Sequence, residues 1–156
     1  MRNESLEVLS LSGNPLSFEC MLNVLDIAKV NRTLKVLNIA GVPMEGPAPI
    51  KENPSGLLSK SEGIILILAQ TLRQSYLTEV TIDVDVTADV MLSELLNTLT
   101  KYNRSLVKLR APGVNFRGSP RDSVLYGIYR AVLANRWIKR NKSADESRDP
   151  ELADII

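Results

Sequence analysis

The amino-acid sequence predicts a right-handed α/β solenoid, with short parallel strands on a concave face, helices on a convex face and a capping helix at the C-terminus. Three observations carry this. A leucine spacing returns: Leu6, Leu9, Leu11, Asn14 and Leu16 are echoed 28 residues later by Leu34, Leu37, Ile39, Val42 and Met44. Apolar residues at helical spacing fill the stretches between returns. A unit of that length with one hydrophobic face buries it only against the next unit, which is the physical basis of a stacked array.

The spacing L-x-x-L-x-L-x-x-N-x-L is that of a leucine-rich repeat, and it orders the elements along the chain. In the first repeat a strand over the leucines is followed by Ser17, an N-cap, and a helix carrying Phe18, Met21, Leu22, Leu25 and Ala28. The second repeat opens at Leu34, but the next does not open until Leu77, 43 residues on. Residues 43–63 hold Pro43, Pro47, Pro49 and Pro54 and are expected to form a proline-rich insertion. Ile65, Leu68, Ala69 and Leu72 then make a helix, with Ser61 or Glu62 as its cap. The run Ile64 to Leu68 could stand as a strand, but its place just before a repeat-opening leucine favours helix. The third repeat keeps Leu77, Val80 and Ile82 with Asp85 in the asparagine position, followed by Thr87 as a cap and a helix over Leu92, Leu95, Leu96 and Leu99. Leu106, Leu109 and Ala111 open the fourth.

Ser119 and Pro120 begin the last helix, about 120–141, since proline suits a first helical turn. Val124, Leu125, Ile128, Tyr129, Val132 and Leu133 are expected on its core side, with Trp137 covering the core's edge. Residues 1–142 thus form one repeat domain, opening near 6, 34, 77 and 106, and 143–156 an acidic tail. Because Leu6 follows only five residues, the first repeat is expected either to continue a longer array or to meet a partner at its N-terminal edge.

Asn3, Asn31 and Asn103 each precede a repeat-opening leucine by three residues and begin N-x-S/T sequons, as does Asn141. Repeat geometry explains the first three: an asparagine there is expected to adopt the left-handed conformation that ends the preceding helix.

Composition narrows function. With no histidine the chain lacks the commonest general base and metal ligand, and the one cysteine, Cys20, is expected as a buried thiol in a reducing compartment. No catalytic residues, cofactor or metal are assigned, and a cytoplasmic protein is expected. Asp83, Asp85, Thr87, Asp89 and Glu94 have the spacing of an EF-hand loop, but Ala88 stands where that loop needs glycine, so the acids are read as a solvated turn and helix start.

Charge is blocked. Residues 108–142 hold nine Lys/Arg and one acid, and residues 143–156 hold five acids and one arginine, although the net charge is only +1. Such a patch attracts an acidic partner. Nucleic acid is disfavoured, since the chain carries no zinc-ligand, phosphate-loop or aromatic stacking motif. On the concave face Arg110 is the residue type that binding hot spots favour.

The repeats resemble the long, ribonuclease-inhibitor type of leucine-rich repeat over about residues 3–118. The closing segment, with Val114, Asn115, Phe116, Gly118, Pro120 and Arg121 and then a helix ending Asn135-Arg136-Trp137-Ile138-Lys139-Arg140, resembles the C-terminal end of tropomodulin and leiomodin. That family caps or nucleates actin filaments through its repeat domain and last helix, so the resemblance implies that Phe116, Arg121, Arg136, Lys139 and Arg140 lie in the region it uses. The expected function is a non-catalytic scaffold presenting its concave face and basic end to an acidic, cytoskeletal protein. Two alternatives stay open: an actin-filament regulator proper, and a regulatory module such as an enzyme inhibitor or GTPase activator.

Overall fold

The 28-residue leucine period becomes strand register. The computed structural model describes residues 3–41, 44–45, 60–82, 89–110 and 120–146. In chain order the elements are β1 (Val8–Ser10), β2 (Leu16–Ser17), α1 (Phe18–Val30), β3 (Val36–Ile39), β4 (Met44–Glu45), α2 (Lys60–Leu72), β5 (Glu79–Ile82), α3 (Asp89–Lys101), β6 (Lys108–Arg110) and α4 (Pro120–Glu146). β1, β3, β5 and β6 form one parallel sheet in that order, and Leu9, Leu37, Val80 and Leu109 stand in a single cross-strand row. Among the described residues the fold is therefore mixed α/β, a parallel sheet with four helices.

Helices pack in sequence, α1 on α2, α2 on α3 and α3 on α4. Between them and the sheet lies one core: Met21, Leu25, Leu37, Ile64, Leu68, Leu72, Leu77, Leu95, Leu99 and Leu106 are among its fully buried side chains. The alternation of the strands explains the division. Leu37, Ile39, Val80 and Ile82 point into the core while Val36, Asn38, Glu79 and Thr81 stay partly open.

Several expectations change here. The asparagines do not turn the chain through the left-handed region: among the described residues only Gly13 and Gly41 have positive φ, and Asn31 sits at φ −78°. Their side chains do the work instead. Asn31 Oδ1 accepts from the N–H of Thr33 and Leu34 at 2.9 and 2.7 Å, and Asn3 and Asn103 serve Leu6 and Leu106 in the same way. The amide groups of Asn31 and Asn103 also reach back one unit, Asn31 Nδ2 to Asn3 O at 3.2 Å and Asn103 Nδ2 to Leu72 O at 2.7 Å. An asparagine satisfies a backbone donor ahead and an acceptor behind, which a glycine could not.

Ser17 caps α1 as expected, its hydroxyl accepting from Cys20 N–H. Cys20 itself is exposed, because the buried stripe of α1 runs through Phe18, Met21, Leu25 and Ala28 and leaves position 20 on the far side. Regular elements occupy both ends of the predicted insertion 43–63, and residues 46–59 lie outside the described residues. Met44 pairs in parallel with Leu16, repeating the first unit's geometry, and α2 already begins at Lys60, which puts Ser61 and Glu62 inside its first turn. Gly63 is held in that helix although glycine disfavours it by about 1 kcal/mol, an amount outweighed by burying Ile64, Ile65 and Leu68. The helical reading of Ile64 to Leu68 is correct. At the other end α4 continues to Glu146, since 142–146 contain no glycine or proline to stop it. Thr87 and Asp85 lie outside the described residues.

Candidate functional site

The basic C-terminal block folds mainly as α4, 27 residues that pack against α3 and β6. Its inner stripe is Leu125, Ile128, Val132 and Asn135, spaced three and four apart. Gly127 lets the helix come close to α3, since a Cβ there would meet Leu96 Cδ2 at 2.9 Å.

One turn of the wheel away is a stripe that sequence reading missed. Tyr126, Tyr129, Leu133 and Trp137 follow the spacing three, four, four and are all exposed, Trp137 by 66%. Arg130, Arg136 and Arg140 share this face and are exposed too. Tyr129 and Leu133 are thus not core residues, and Trp137 does not cover the core's edge. The reason lies in the inner stripe: once Leu125, Ile128 and Val132 face inward, positions one residue later are carried about 100° round the helix. The periodicity of α4 does not distinguish the two stripes, and the inner one buries a polar residue, Asn135, along with its apolar side chains. Trp, Tyr and Arg are the residue types enriched at binding hot spots, and their adjacency makes the face apolar and cationic at once.

Of the residues singled out from sequence, Arg136 and Arg140 sit four apart on this face, and Lys139, also exposed, projects in line with the inner stripe beyond Asn135. Arg121 belongs to the first turn of α4, but its side chain lies outside what is described, as does Phe116 altogether. Arg110 is elsewhere. It is exposed on β6, in a cross-strand row with Thr81, Asn38 and Ser10 on the sheet face opposite the helices. The structure therefore divides the residues between two surfaces rather than gathering them. Beside Arg110, Glu79 and Lys108 are cross-strand partners whose opposite charges are joined in an ion pair. Arg110 has no ion pair among the described residues.

Two other charged clusters are internally engaged. Arg73 pairs with Glu94 and lies 5.0 Å from the ring centre of Tyr102, while Lys35 lies 5.2 Å from that of Tyr76. Glu94, the last acid of the EF-hand-like spacing, is thereby occupied by a cation, and positions 83–88 lie outside the described residues. Among the described residues no group of three or more acidic, cysteine or histidine side chains could hold a metal. At the opposite end of the sheet, Leu6, Val8, Ile27 and Val30 are exposed, and a cleft of about 550 Å³ opens beside Asn3, Ile27 and Val30. No helix among the described residues is long and apolar enough to cross a membrane.

Comparison with known proteins places the fold. No family model and no curated protein matches the chain. Among solved structures, the leiomodin-1 actin-binding site 2 is similar with a TM-score of 0.70 at 17% identity, over 94% of this chain and 73% of that one. The tropomodulin C-terminal domain of Caenorhabditis elegans is similar with a TM-score of 0.58 at 11% identity, over 92% of each chain.

Proposed function

We propose that this chain is an actin-binding module: a leucine-rich-repeat solenoid whose last helix docks on an acidic, partly apolar patch of the actin filament. The observation that carries the reading is the exposed aromatic and arginine stripe of α4, on a fold similar to a leiomodin domain named for actin binding. A merely solvated helix face would favour lysine and glutamate, whereas Trp137, Tyr126, Tyr129 and Leu133 leave large apolar area in water. The arginines supply long-range attraction to an acidic partner and the aromatics supply burial once contact is made. Filament capping or nucleation, the finer forms of this activity, follow if the stripe engages a filament end. A scaffold for another acidic protein is the second reading, and Arg110 on the open sheet face is the residue that favours it, as a separate contact.

Co-sedimentation with actin filaments at low and high salt tests the proposal. Binding is expected at low salt and is expected to weaken as salt rises. Reversing the charge of Arg136, Lys139 and Arg140 together should abolish it, and Trp137→Ala should weaken it at any salt. A wild-type chain that stays in the supernatant at low salt refutes the actin reading, and a triple reversal that pellets like wild type refutes the role of α4.

A further inference from the structure

Asn135 is the one polar residue in the inner stripe of α4, and it is completely buried. Its amide nitrogen donates to two backbone carbonyls of the preceding unit, Asn103 O and Leu106 O, both at 3.1 Å. Two carbonyls can be faced only by the NH2 group, so the orientation of the side chain is dictated by chemistry. Its Oδ1 is buried without a hydrogen-bond partner.

These contacts have counterparts inside the array. Asn31 Nδ2 donates to Asn3 O, and Thr33 Oγ1 donates to Leu6 O, the carbonyl of a repeat-opening leucine. Asn135 makes both kinds of bond from one side chain, although it comes from a helix and not from a strand-opening loop. It therefore occupies the station that the asparagine of a fifth unit would hold. The orphaned Oδ1 fits this origin, since in Asn3, Asn31 and Asn103 that oxygen accepts from the amide three residues on. In α4 that amide is already spent within the helix.

We infer that Asn135 is a positioning residue that sets the rotation of α4 and so presents the aromatic and arginine face to a partner. Hydrophobicity alone does not choose that rotation. A slip by one residue, about 100° of helix turn, would bring Tyr126, Tyr129 and Leu133 inward in place of Leu125, Ile128 and Val132, an exchange that buries as much apolar surface. In the slipped register Ile128 would take the place of Gly127 and press on the tip of the Leu96 side chain, which would have to turn aside, and Arg136 would move to the place of Asn135, where its long chain could still bend out to water. What the slipped helix cannot replace is the pair of bonds to Asn103 and Leu106. A single buried amide selecting one register over another, with an unsatisfied atom as its cost, is a known device in helical packing.

The inference rests on the α4 docking surface proposed above, and its test is read in two ways so that each can fail alone. Trp137 is the only tryptophan in the chain, and it lies on the exposed stripe, so its emission and its quenching by acrylamide report helix rotation without any partner. Asn135→Leu removes both hydrogen bonds, and Asn135→Thr keeps a donor for one carbonyl, as Thr33 does for Leu6 O. In the leucine variant the slip carries Trp137 from the outer line of α4 to the place of Arg136, beside the inner stripe, so its emission should shift to the blue and its quenching constant should fall, and filament affinity should drop about tenfold, the scale of losing one aromatic hot spot. The threonine variant should stay near wild type in both readouts, which a role confined to stability would not produce if both variants melt at similar temperatures. Unchanged Trp137 quenching in a folded leucine variant overturns the inference. If the leucine variant does not fold, wild-type-like quenching in Asn135→Ser and a blue shift in Asn135→Ala decide in its favour, and identical quenching in those two decides against it. Should wild-type protein bind no filament, the actin reading fails while the quenching comparison still decides the role of Asn135.

Discussion

Replacing Asn103 by alanine should be among the most damaging single polar changes in this molecule. Asn103 is 3% exposed; its Nδ2 donates to Leu72 O at 2.7 Å and to Ser105 Oγ at 3.2 Å, and its Oδ1 accepts from Leu106 N at 2.9 Å. Alanine removes all three bonds. Leu106 is fully buried, so its N–H is left without a partner, and the last-turn carbonyl of Leu72 loses its own. An unsatisfied buried backbone group costs roughly 1–3 kcal/mol, so two of them amount to roughly 2–6 kcal/mol. At about 2–4 °C per kcal/mol for a domain of this size, the midpoint should fall by roughly 4–24 °C. Asn3 is the internal control: its Oδ1 accepts from Leu6 N as that of Asn103 does from Leu106 N, and from Ser5 N as well, but at an exposed position where water can replace it. Asn3→Ala should lose about 1 kcal/mol or less. Both are measured by urea unfolding followed by far-UV circular dichroism. An Asn103→Ala loss below about 1 kcal/mol, or an Asn3→Ala loss as large, would refute the view that these side chains hold the units together through buried backbone groups.

Leu37→Ala, in the middle of the cross-strand leucine row and fully buried, should lose about 2–5 kcal/mol in the same unfolding assay, with the slope against urea unchanged. Gly41→Ala should lose about 1–2 kcal/mol for backbone reasons alone, because φ is +62° while a Cβ would meet nothing closer than 3.8 Å; Gly41→Asn should recover part of it on thermal melting. Glu94→Gln, which breaks the ion pair with the partly exposed Arg73, should change stability by less than about 1 kcal/mol, and the difference should vanish in 1 M salt.

Much of the architecture is legible in the residues because it is periodic. Leu9, Leu37, Val80 and Leu109 can be aligned by counting, and the structure pairs them as counted. The helical stripes of α1, α2 and α3 are read from the same arithmetic. The asparagines show a different limit. Their spacing identifies them as structural, yet the mechanism assigned to them was a backbone conformation, and the structure shows a side-chain bridge between units. A bond across 28 residues has no local signature; it exists only once the two units are stacked.

The last helix makes the point most sharply. That the C-terminal block is basic and helical follows from the order of residues alone. Which side of α4 faces out does not, because that helix carries two apolar stripes one residue apart, and burial of either satisfies the pattern. Tertiary packing decides it, through the close approach at Gly127 and the bonds of Asn135 to the unit beneath. Periodicity is a property of one segment and can be read along it, whereas the rotation of a helix is a comparison of two packings and is set by the groups it meets.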